Sequence, residues 1–330
     1  MSTRLHIHVQ SNPKAPEVFH MTRERYRAAL RRHPDVARQV RITIATDKSG
    51  FYRAIRSTDV LVAWWFPKHE LEKTAPNLKW IHVIGAGIDH LLPLDWLPRG
   101  VALVNNRGVH VPKAGEFVTM ALLMLNSAVP ALTTQQRESR WREIHTTTIA
   151  GKTLAVMGVG HIGGTAAKKA KGLGMHVLGV RRSGRPHRYV DEMFRPAELR
   201  RVLPRADFVL VTTPVTRETR GLLGARELNW IKQGAGFINL GRAEVVDYEA
   251  LRLKLERGEL SGAILDVFVT EPLPPSSALW STPNLVITPH VATDDRDNYI
   301  PRTMDLVLEN VRRYRAGRRL LNRVSPVREY

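Results

Sequence analysis

Residues 151–175 read GKTLAVMGVGHIGGTAAKKAKGLGM, an apolar run followed by a glycine-rich turn and a segment of small residues. The glycines stand in GxGxxG spacing, which alone is a weak signal, but here they follow a predicted strand and open a predicted helix, as the motif requires. Such a turn binds a pyrophosphate, because glycines keep the backbone close and the helix start offers free amides. We expect dinucleotide contacts at Gly158, Gly160, His161, Ile162 and Gly163, with a purely structural glycine turn as the alternative.

Outward from this turn, strand-like apolar runs alternate with helix-like segments along the chain. The runs before residue 107 are RLHIHVQ, VRITIAT, DVLVAWWF, LKWIHVIG and ALVNN. Those between about 152 and 290 are TLAVMGVG, HVLGVRR, ADFVLVTT, AGFINL, GAILDVF and LVITPH. Such alternation is typical of parallel, doubly wound α/β domains, and 330 residues exceed what a single core usually supports. The sequence therefore predicts an α/β protein with two successive sheets.

Charge and composition limit which kinds of partner, metal site and location the chain can have. The chain has 50 Lys and Arg against 31 Asp and Glu, a net charge of +19, but the basic residues are scattered. We interpret them as a solvated surface and expect no nucleic-acid partner, although a basic chain can bind one. There is no cysteine and no HExxH-type cluster, so we expect no metal site. The start, MSTRLHIHVQ, does not resemble a signal peptide and the most apolar stretch is interrupted, so we expect a cytoplasmic protein without a membrane partner.

The next strand after the glycine turn ends unusually, in VLGVRRSGRP at residues 177–186. In an NAD site this strand ends on Asp or Glu, whose carboxylate binds the adenosine ribose. Arg181 stands there instead. A carboxylate would repel a 2′-phosphate, whereas Arg181, Arg182 and Ser183 can bind one. The alternative is a chance pair, because five Arg-Arg pairs occur in the chain. We expect NADP(H) as the preferred cofactor, with NAD(H) as the second.

Three later stretches carry polar residues at the ends of apolar strands, where α/β enzymes place their chemistry. They are FINLGRAEVVD, GAILDVFVTEPLPPSSALW and NLVITPHVA, and the residues that stand out are Arg242, Glu271 and His290. Reduction of a 2-keto acid needs a cation for the carboxylate, which Arg can bind through two parallel hydrogen bonds. It also needs an acid for the developing alkoxide, for which His with a carboxylate neighbour is suited. Taken singly, each of these three residues could have a structural role instead of a catalytic one.

Together these motifs resemble the D-isomer-specific 2-hydroxyacid dehydrogenases from about residue 55 to 295. The matching stretches are KWIHVIGAGIDHL, GKTLAVMGVGHIGG, TTPVTRETRGLL, FINLGRAEVVDYEAL, GAILDVFVTEPLP and NLVITPHVA. In cofactor motif the chain is closest to the NADPH-preferring glyoxylate/hydroxypyruvate reductases. The resemblance implies a Rossmann nucleotide-binding domain at 107–293, inserted into a flavodoxin-like substrate domain formed by 1–106 and 294–330. It also implies a homodimer.

The resemblance assigns roles to individual residues. It makes Arg242 the substrate-binding and orienting residue, His290 the acid/base, and Glu271 the partner of the histidine. It places the substrate carboxylate on the backbone of Gly85, Ala86 and Gly87. The cofactor contacts that it adds are Pro214, Thr219, Leu240, Gly241 and Asp266, the last of which holds the nicotinamide carboxamide. Trp64, in the cluster Trp64, Trp65 and Phe66, is either core or a wall of the substrate pocket.

The resulting prediction is reduction of a small 2-keto acid to the D-2-hydroxy acid, with hydride from the nicotinamide and a proton from His290. Two alternatives remain. Corepressors of the same fold sense nicotinamide and bind other proteins, and the intact Arg, Glu and His set does not exclude that role. Phosphoglycerate, phosphite and formate dehydrogenases share the same motifs.

Overall fold

The computed structural model describes residues 4–330, which form two compact units. The first unit runs up to His110 and resumes at Asp294–Tyr330, and the second is Val111–Thr293. In sequence, the second unit is therefore inserted into the first. The predicted boundaries at 106/107 and 293/294, and the roles of the parts as substrate and nucleotide domains, stay predictions at this point.

The first unit is built on five strands, β1 (Leu5–Gln10), β2 (Val40–Ala45), β3 (Val60–Ala63), β4 (Trp80–Val83) and β5 (Ala102–Asn105). All pair in parallel in the order β2-β1-β3-β4-β5, which is the flavodoxin-like order. Its helices are α1 (Arg23–Arg32), α2 (Pro34–Ala37), α3 (Lys48–Ile55), α4 (Leu71–Thr74) and a C-terminal helix, Tyr299–Arg315.

The C-terminal helix belongs to the core of this first sheet although it is distant in sequence. Its buried face includes Met304, Val307 and Val311, which share one apolar cluster with Ile7 and Val9 of β1. Removing this apolar surface from water stabilises the unit by about 25 cal/mol per Å². The first unit therefore needs both ends of the chain.

The second unit is built on seven strands, β6 (Thr153–Met157), β7 (His176–Val180), β8 (Glu192–Phe194), β9 (Phe208–Val211), β10 (Ala235–Asn239), β11 (Leu260–Leu265) and β12 (Leu285–Ile287). They pair in parallel in the order β12-β11-β10-β9-β6-β7-β8. Counted from β6 this is 3-2-1-4-5-6 with one further strand, the dinucleotide-binding order. The order reverses between β6 and β9, and ligands bind at such a switch point.

Helices cover both faces of the second sheet. They are α5 (Val111–Asn126), α6 (Val129–Arg137), α7 (His161–Gly172), α8 (Leu199–Val202), α9 (Ala225–Leu228) and α10 (Tyr248–Glu256). Alternate residues of β6 lie in separate apolar clusters, with Ala155 and Met157 in one and Leu154 and Val156 in the other. A strand buried on both faces reads as a continuous apolar run, which is why TLAVM was recognisable.

The predicted fold class, two doubly wound parallel α/β sheets, is confirmed. The sequence reading missed one strand, β8, which has only three residues. It lies at the sheet edge and begins with a charged residue, Glu192, so no apolar run announces it. Within residues 4–330, no single helix has the length and apolarity needed to cross a membrane. By length and composition alone, only the bent pair α5 and α6 passes such a test.

Candidate active site

The predicted cofactor and catalytic residues of the second unit all follow carboxyl ends of strands. Parallel strands place these ends at one edge of the sheet. After β6 come Gly158, Gly160, His161, Ile162 and Gly163; after β7, Arg181, Arg182 and Ser183; after β9, Pro214 and Thr219; after β10, Leu240, Gly241 and Arg242; after β11, Asp266 and Glu271; after β12, His290. The fold therefore collects them on one edge of the seven-stranded sheet.

The glycine turn has the backbone that the motif requires. Gly158 has φ +97°, a conformation that side chains rarely allow, and its N–H donates to the Val180 carbonyl at 2.9 Å. A Cβ on Gly163 would lie 2.2 Å from the Gly158 carbonyl oxygen, so only glycine lets α7 start this close to the strand. A Cβ on Gly160 would meet nothing within 4 Å. The side of the turn at Gly160 is open, and it fits the approach of a pyrophosphate.

Two threonines after β9 brace the turn across the switch point. The Thr213 hydroxyl donates to the Met157 carbonyl at 2.9 Å, and the Thr212 hydroxyl donates to the Gly158 carbonyl at 2.7 Å. The sequence reading did not single them out. Each hydroxyl adds a second hydrogen bond to a carbonyl that already accepts a backbone N–H, from Thr212 at Met157 and from Gly160 at Gly158, and together they fix the turn for a ligand. By helix geometry the first amides of α7 have no partner within the helix, so they can donate to phosphate.

The loop after β7 places its two arginines, Arg181 and Arg182, in different surroundings. The Arg181 guanidinium donates through Nη2 to the Pro186 carbonyl at 2.9 Å, while its Nε is buried and has no hydrogen-bond partner within residues 4–330. Arg182 and Ser183 are exposed, and Arg182 lies 3.6 Å from Glu218 in an ion pair. Burial, followed by the charges of Arg181 and Arg188, lowers the pKa of His187 in the same loop. The positive charge here therefore belongs to the arginines.

Pro214 and Thr219 form one closed loop after β9. The Thr219 hydroxyl donates to the Pro214 carbonyl at 2.6 Å and accepts from the Thr216 N–H at 2.8 Å. Thr219 thus shapes the loop through its side chain, while Pro214 is exposed. Their predicted cofactor contacts stay predictions.

Arg242 follows β10 in a backbone held by Asn239. The Asn239 amide group accepts from the Gly241 N–H at 2.9 Å and donates to the Arg242 carbonyl at 3.2 Å. It also donates to the Tyr248 hydroxyl, which in turn donates to the Val267 carbonyl at 2.8 Å. Burial raises the pKa of Tyr248, so the hydroxyl stays protonated and remains a donor. Sequence reasoning missed Asn239 and Tyr248, although a buried Asn at a strand end signals such a network.

Leu240 and Gly241 lie against the neighbouring loop. Leu240 is buried, and a Cβ on Gly241 would lie 2.6 Å from the Thr213 carbonyl oxygen. Gly241 therefore allows the chain after β10 to pass close to the chain after β9. The Arg242 side chain donates to the Gly241 carbonyl at 2.9 Å and is partly exposed.

Asp266 is buried at the end of β11 and holds the loop that carries His290. Its carboxylate accepts from the Thr288 hydroxyl at 2.6 Å and from the N–H groups of Val291 and Ala292 at 3.0 and 3.1 Å. Burial raises the pKa of this carboxyl group, against the opposing effect of those hydrogen bonds. Its predicted contact with a nicotinamide carboxamide stays a prediction. Its contacts within the chain give it a second role, which is to fix the backbone on both sides of His290.

Glu271 and His290 form a close pair. His290 Nδ1 lies 2.7 Å from Glu271 Oε2, and the other carboxylate oxygen accepts from the Phe268 N–H at 2.8 Å. A carboxylate only accepts, so Nδ1 carries the hydrogen and Nε2 is the atom that exchanges a proton. The His290 side chain is 45% exposed, which leaves Nε2 accessible. His290 also has φ +55°, a strained conformation for a residue with a side chain.

In the first unit, the loop of residues 85–87 follows β4. Its carbonyls are used: Gly85 accepts from the Asn106 N–H at 2.9 Å and Ala86 from the Asn105 side chain at 2.7 Å. Among residues 4–330, no acceptor takes the N–H groups of Ala86 and Gly87. These amides can bind an anion, as the resemblance implies.

The aromatic cluster after β3 divides into two kinds of residue. Phe66 is buried and packs edge to face on Trp96 at 5.5 Å. Trp64 and Trp65 are 40% and 59% exposed. A position in the core, one of the two alternatives for this cluster, is therefore correct for Phe66 and wrong for Trp64 and Trp65.

Comparison with known proteins agrees with this geometry. The family profile described as "D-isomer specific 2-hydroxyacid dehydrogenase, NAD binding domain" matches residues 119–292. A glyoxylate reductase of Korarchaeum cryptofilum is 30% identical over 254 residues, which are 75% of this chain and 76% of the relative.

Two solved structures are similar over nearly the whole chain. A D-isomer specific 2-hydroxyacid dehydrogenase from Xanthobacter autotrophicus, in complex with NADPH and MES, is 32% identical with a TM-score of 0.84, covering 99% of this chain and 100% of that one. An NADPH-dependent glyoxylate/hydroxypyruvate reductase from Sinorhizobium meliloti, in complex with NADP and sulfate, is 30% identical with a TM-score of 0.82 and the same coverage.

The chain belongs to the D-isomer-specific 2-hydroxyacid dehydrogenase family. The predicted family and the prediction of an NAD(P)-dependent oxidoreductase acting on 2-keto and 2-hydroxy acids are confirmed by these similarities. The corepressor-like scaffold is not favoured by them.

Proposed function

We propose that this protein reduces a small 2-keto acid, glyoxylate or hydroxypyruvate, to the 2-hydroxy acid, with D configuration where the product is chiral, and that it prefers NADPH to NADH. The observation that carries the proposal is the pair of His290 and Glu271 with a 2.7 Å contact and an accessible Nε2. A structural histidine has no need of an exposed nitrogen opposite a carboxylate that is itself fixed by a backbone amide.

Three side chains of the second unit, those of His290, Glu271 and Arg242, have a role in this reaction. When bound, the reduced nicotinamide supplies a hydride to the carbonyl carbon. His290 gives the proton on Nε2 to the carbonyl oxygen, and Glu271 keeps its hydrogen bond to Nδ1–H before and after the transfer. Arg242 binds the substrate through its guanidinium and orients the carbonyl. In the first unit, the N–H groups of Ala86 and Gly87 can donate to a carboxylate.

The preference for NADPH rests on the loop after β7. Arg181 stands where a carboxylate would bind the ribose hydroxyls, and a buried Nε–H without a partner remains on its guanidinium. A 2′-phosphate supplies acceptor oxygens for this group and for the exposed Arg182 and Ser183. Hydrogen bonds to a charged group contribute about 1.5–3 kcal/mol each, less where solvent screens them. Two such contacts favour NADPH by roughly 10² to 10⁴.

A homodimer is part of the proposal. Exposed apolar side chains recur on α5, α6 and the segment that follows them, namely Met120, Leu123, Leu132 and Trp141. Trp141 is 96% exposed, and every residue from Gln136 to Thr148 except Ile144 is exposed. Protein interfaces are enriched in Met and Trp, and a second copy of the chain is the partner we expect on this surface. The expected cytoplasmic location stays a prediction.

A panel assay tests the proposed function. Purified protein is mixed with NADPH or NADH and with glyoxylate, hydroxypyruvate or phenylpyruvate, and kcat/KM is measured for each pair. We expect turnover of the small keto acids with NADPH as the better cofactor. Binding of NADPH without turnover of any keto acid would favour the nicotinamide-sensing scaffold instead. 3-Phosphoglycerate, formate and phosphite with NADP⁺ or NAD⁺ test the remaining dehydrogenases.

A further inference from the structure

The segment of residues 321–324, which follows the C-terminal helix, runs back along β5 of the first sheet, and we call it the return segment. The Val324 N–H donates to the Leu103 carbonyl of β5 at 2.8 Å. The buried Asn310 of the C-terminal helix holds the start of the segment, because its Oδ1 accepts from the Leu321 N–H at 2.7 Å. The return segment therefore has a fixed position beside the outer strand of the five-stranded sheet.

Asn322 of the return segment is bonded to the chain where β5 ends. Its Nδ2 donates to the Asn105 carbonyl at 3.1 Å and to the Arg107 carbonyl at 2.6 Å. Its own carbonyl accepts from the Asn105 N–H at 3.3 Å. The backbone of Asn322 has φ +55°, a conformation that Asn adopts more readily than most residues. Three hydrogen bonds with this one residue thus hold the chain of residues 105–107.

The side chain of Asn105 connects the end of β5 with the loop of residues 85–87, which we call the carboxylate loop. Its Oδ1 accepts from Arg107 Nε at 3.1 Å, and its Nδ2 donates to the Ala86 carbonyl at 2.7 Å. A guanidinium only donates and a carbonyl only accepts, so the two contacts determine which way the amide group faces. Asn105 is fully buried, so both ends of its amide are committed to these partners.

The carbonyls of the carboxylate loop determine where its N–H groups point. A peptide group is planar and trans, so its C=O and its N–H point in opposite directions. The Ala86 carbonyl shares its peptide group with the Gly87 N–H. The Gly85 carbonyl, which accepts from the Asn106 N–H at 2.9 Å, shares its peptide group with the Ala86 N–H. Because both carbonyls point at the end of β5, both N–H groups point away from it.

We propose that Asn322 is a positioning residue for the substrate: it fixes Asn105 and thereby the two N–H groups that bind the carboxylate of the 2-keto acid. This inference rests on the proposed function, in which that carboxylate lies on Ala86 and Gly87. Donors that already point at their ligand have less conformational freedom to lose on binding, so they bind it more tightly. The substrate site thus depends on a residue 217 positions beyond Asn105 in the chain.

Asn322→Gly tests the proposal, because glycine adopts the positive φ readily while the side-chain hydrogen bonds are lost. The measurements are kcat, the KM for glyoxylate and the KM for NADPH, in wild type and variant. We expect the glyoxylate KM to rise roughly fivefold, the effect of losing one neutral hydrogen bond. The NADPH KM should stay at the wild-type value, and kcat should change little, since substrate and transition state lose the same contact.

Asn105→Asp tests the route by which Asn322 acts. The carboxylate still accepts from Arg107, but it cannot donate to the Ala86 carbonyl, so the glyoxylate KM should rise further than in Asn322→Gly. Residues that act through one another have non-additive effects. The double variant Asn105→Asp, Asn322→Gly should therefore have the glyoxylate KM of Asn105→Asp alone.

Asn284→Gly is the matched control. Asn284 also has a positive φ, +57°, but it lies in the second unit. The same substitution there should leave the glyoxylate KM unchanged. If Asn322→Gly does not fold by thermal unfolding, Asn322→Asp is measured instead, because Asp also tolerates a positive φ and cannot donate to a carbonyl.

The outcomes separate the two proposals. Wild-type protein that reduces no 2-keto acid contradicts the proposed function itself. Wild-type protein that reduces glyoxylate, with an unchanged glyoxylate KM in a folded Asn322 variant, leaves that function standing and overturns the role of Asn322. Equal rises in the glyoxylate KM and the NADPH KM would indicate a general loss of structure and overturn that role as well. A double variant in which the two single effects multiply would overturn the route through Asn105.

Discussion

His290 has its backbone and its side chain fixed by different carboxylates. Asp266 binds the amides of Val291 and Ala292, and Glu271 binds the imidazole. A residue held in a strained conformation costs of order 1–3 kcal/mol and persists only when its surroundings determine it. The φ of +55° at His290 is such a case, and Asp266 supplies the surrounding contacts. The sequence predicted the pair with Glu271 but not this backbone support, because hydrogen bonds to amides leave no pattern in the side-chain sequence.

Loss of the imidazole should remove most of the catalysis and little of the cofactor binding. His290→Ala is expected to lower kcat by about 10² to 10⁴, the usual contribution of general acid catalysis. Steady-state kinetics with glyoxylate give kcat, and fluorescence titration gives the NADPH Kd, which should stay near the wild-type value. Wild-type kcat in this variant would remove His290 from the mechanism.

Loss of the Asp266 charge should loosen the loop of His290. In Asp266→Asn a neutral amide oxygen takes the place of the charged Oδ1, which accepts from the Thr288 hydroxyl and from both N–H groups, and hydrogen bonds to a charged acceptor are about twice as strong. The amide nitrogen takes the place of Oδ2, so the second contact of the Ala292 N–H, at 3.2 Å, is lost as well. We expect kcat to fall by up to about 10²-fold, the size of effect that a small misplacement of a catalytic group produces. Thr288→Val removes only one of the donors and should have a smaller effect. Equal kcat values for Asp266→Asn and wild type would show that the loop does not depend on this carboxylate.

Among the secondary-structure elements, the carboxyl ends of the strands determine where the candidate site lies. The apolar runs that fill both faces of the second sheet were visible in the sequence, so the ends of β6, β10, β11 and β12 and the polar residues after them could be predicted. The edge strand β8 could not, because it has only three residues and the first of them is charged. Contacts between loops were equally hidden: Thr212, Thr213 and Tyr248 act across the sheet, and their partners lie in distant parts of the chain.

The end of β7 carries the prediction on cofactor choice. The double variant Arg181→Asp, Arg182→Ala introduces the carboxylate that an NAD site has at this position, and it removes the cationic partners of a 2′-phosphate. Its kcat/KM with NADPH should fall far more than its kcat/KM with NADH, and high salt should shrink the wild-type preference. Arg200→Ala, Arg201→Ala changes another Arg-Arg pair of the same unit and should alter neither. A wild type that uses NADH as well as NADPH would make the β7 arginines part of the general basic surface.

At the scale of the whole molecule, the sequence predicted two α/β units and the insertion of one into the other. It did not show which apolar residues stay exposed, because burial depends on packing between distant segments. Trp64 and Trp65 illustrate this, since they extend an apolar strand run and yet lie outside the core. Trp141 is a second case, in a segment without regular secondary structure.

The exposed apolar surface around Trp141 gives a prediction about assembly. Wild-type protein should have twice the mass of the chain in analytical ultracentrifugation. Trp141→Glu places a charge where a second copy is expected to pack, so it should shift the protein towards the monomer. Trp280→Glu alters another half-exposed tryptophan of the same unit and should leave the mass unchanged. A monomeric wild type would contradict the proposed dimer.

The most direct test of the whole account is the stoichiometry of NADPH oxidation with hydroxypyruvate. We expect one D-glycerate formed for each NADPH oxidised by wild-type protein, and no measurable turnover by the double variant Arg242→Ala, His290→Ala. Three results would contradict the proposed reaction: protein that binds NADPH but forms no glycerate, L-glycerate as the product, or wild-type turnover in the double variant.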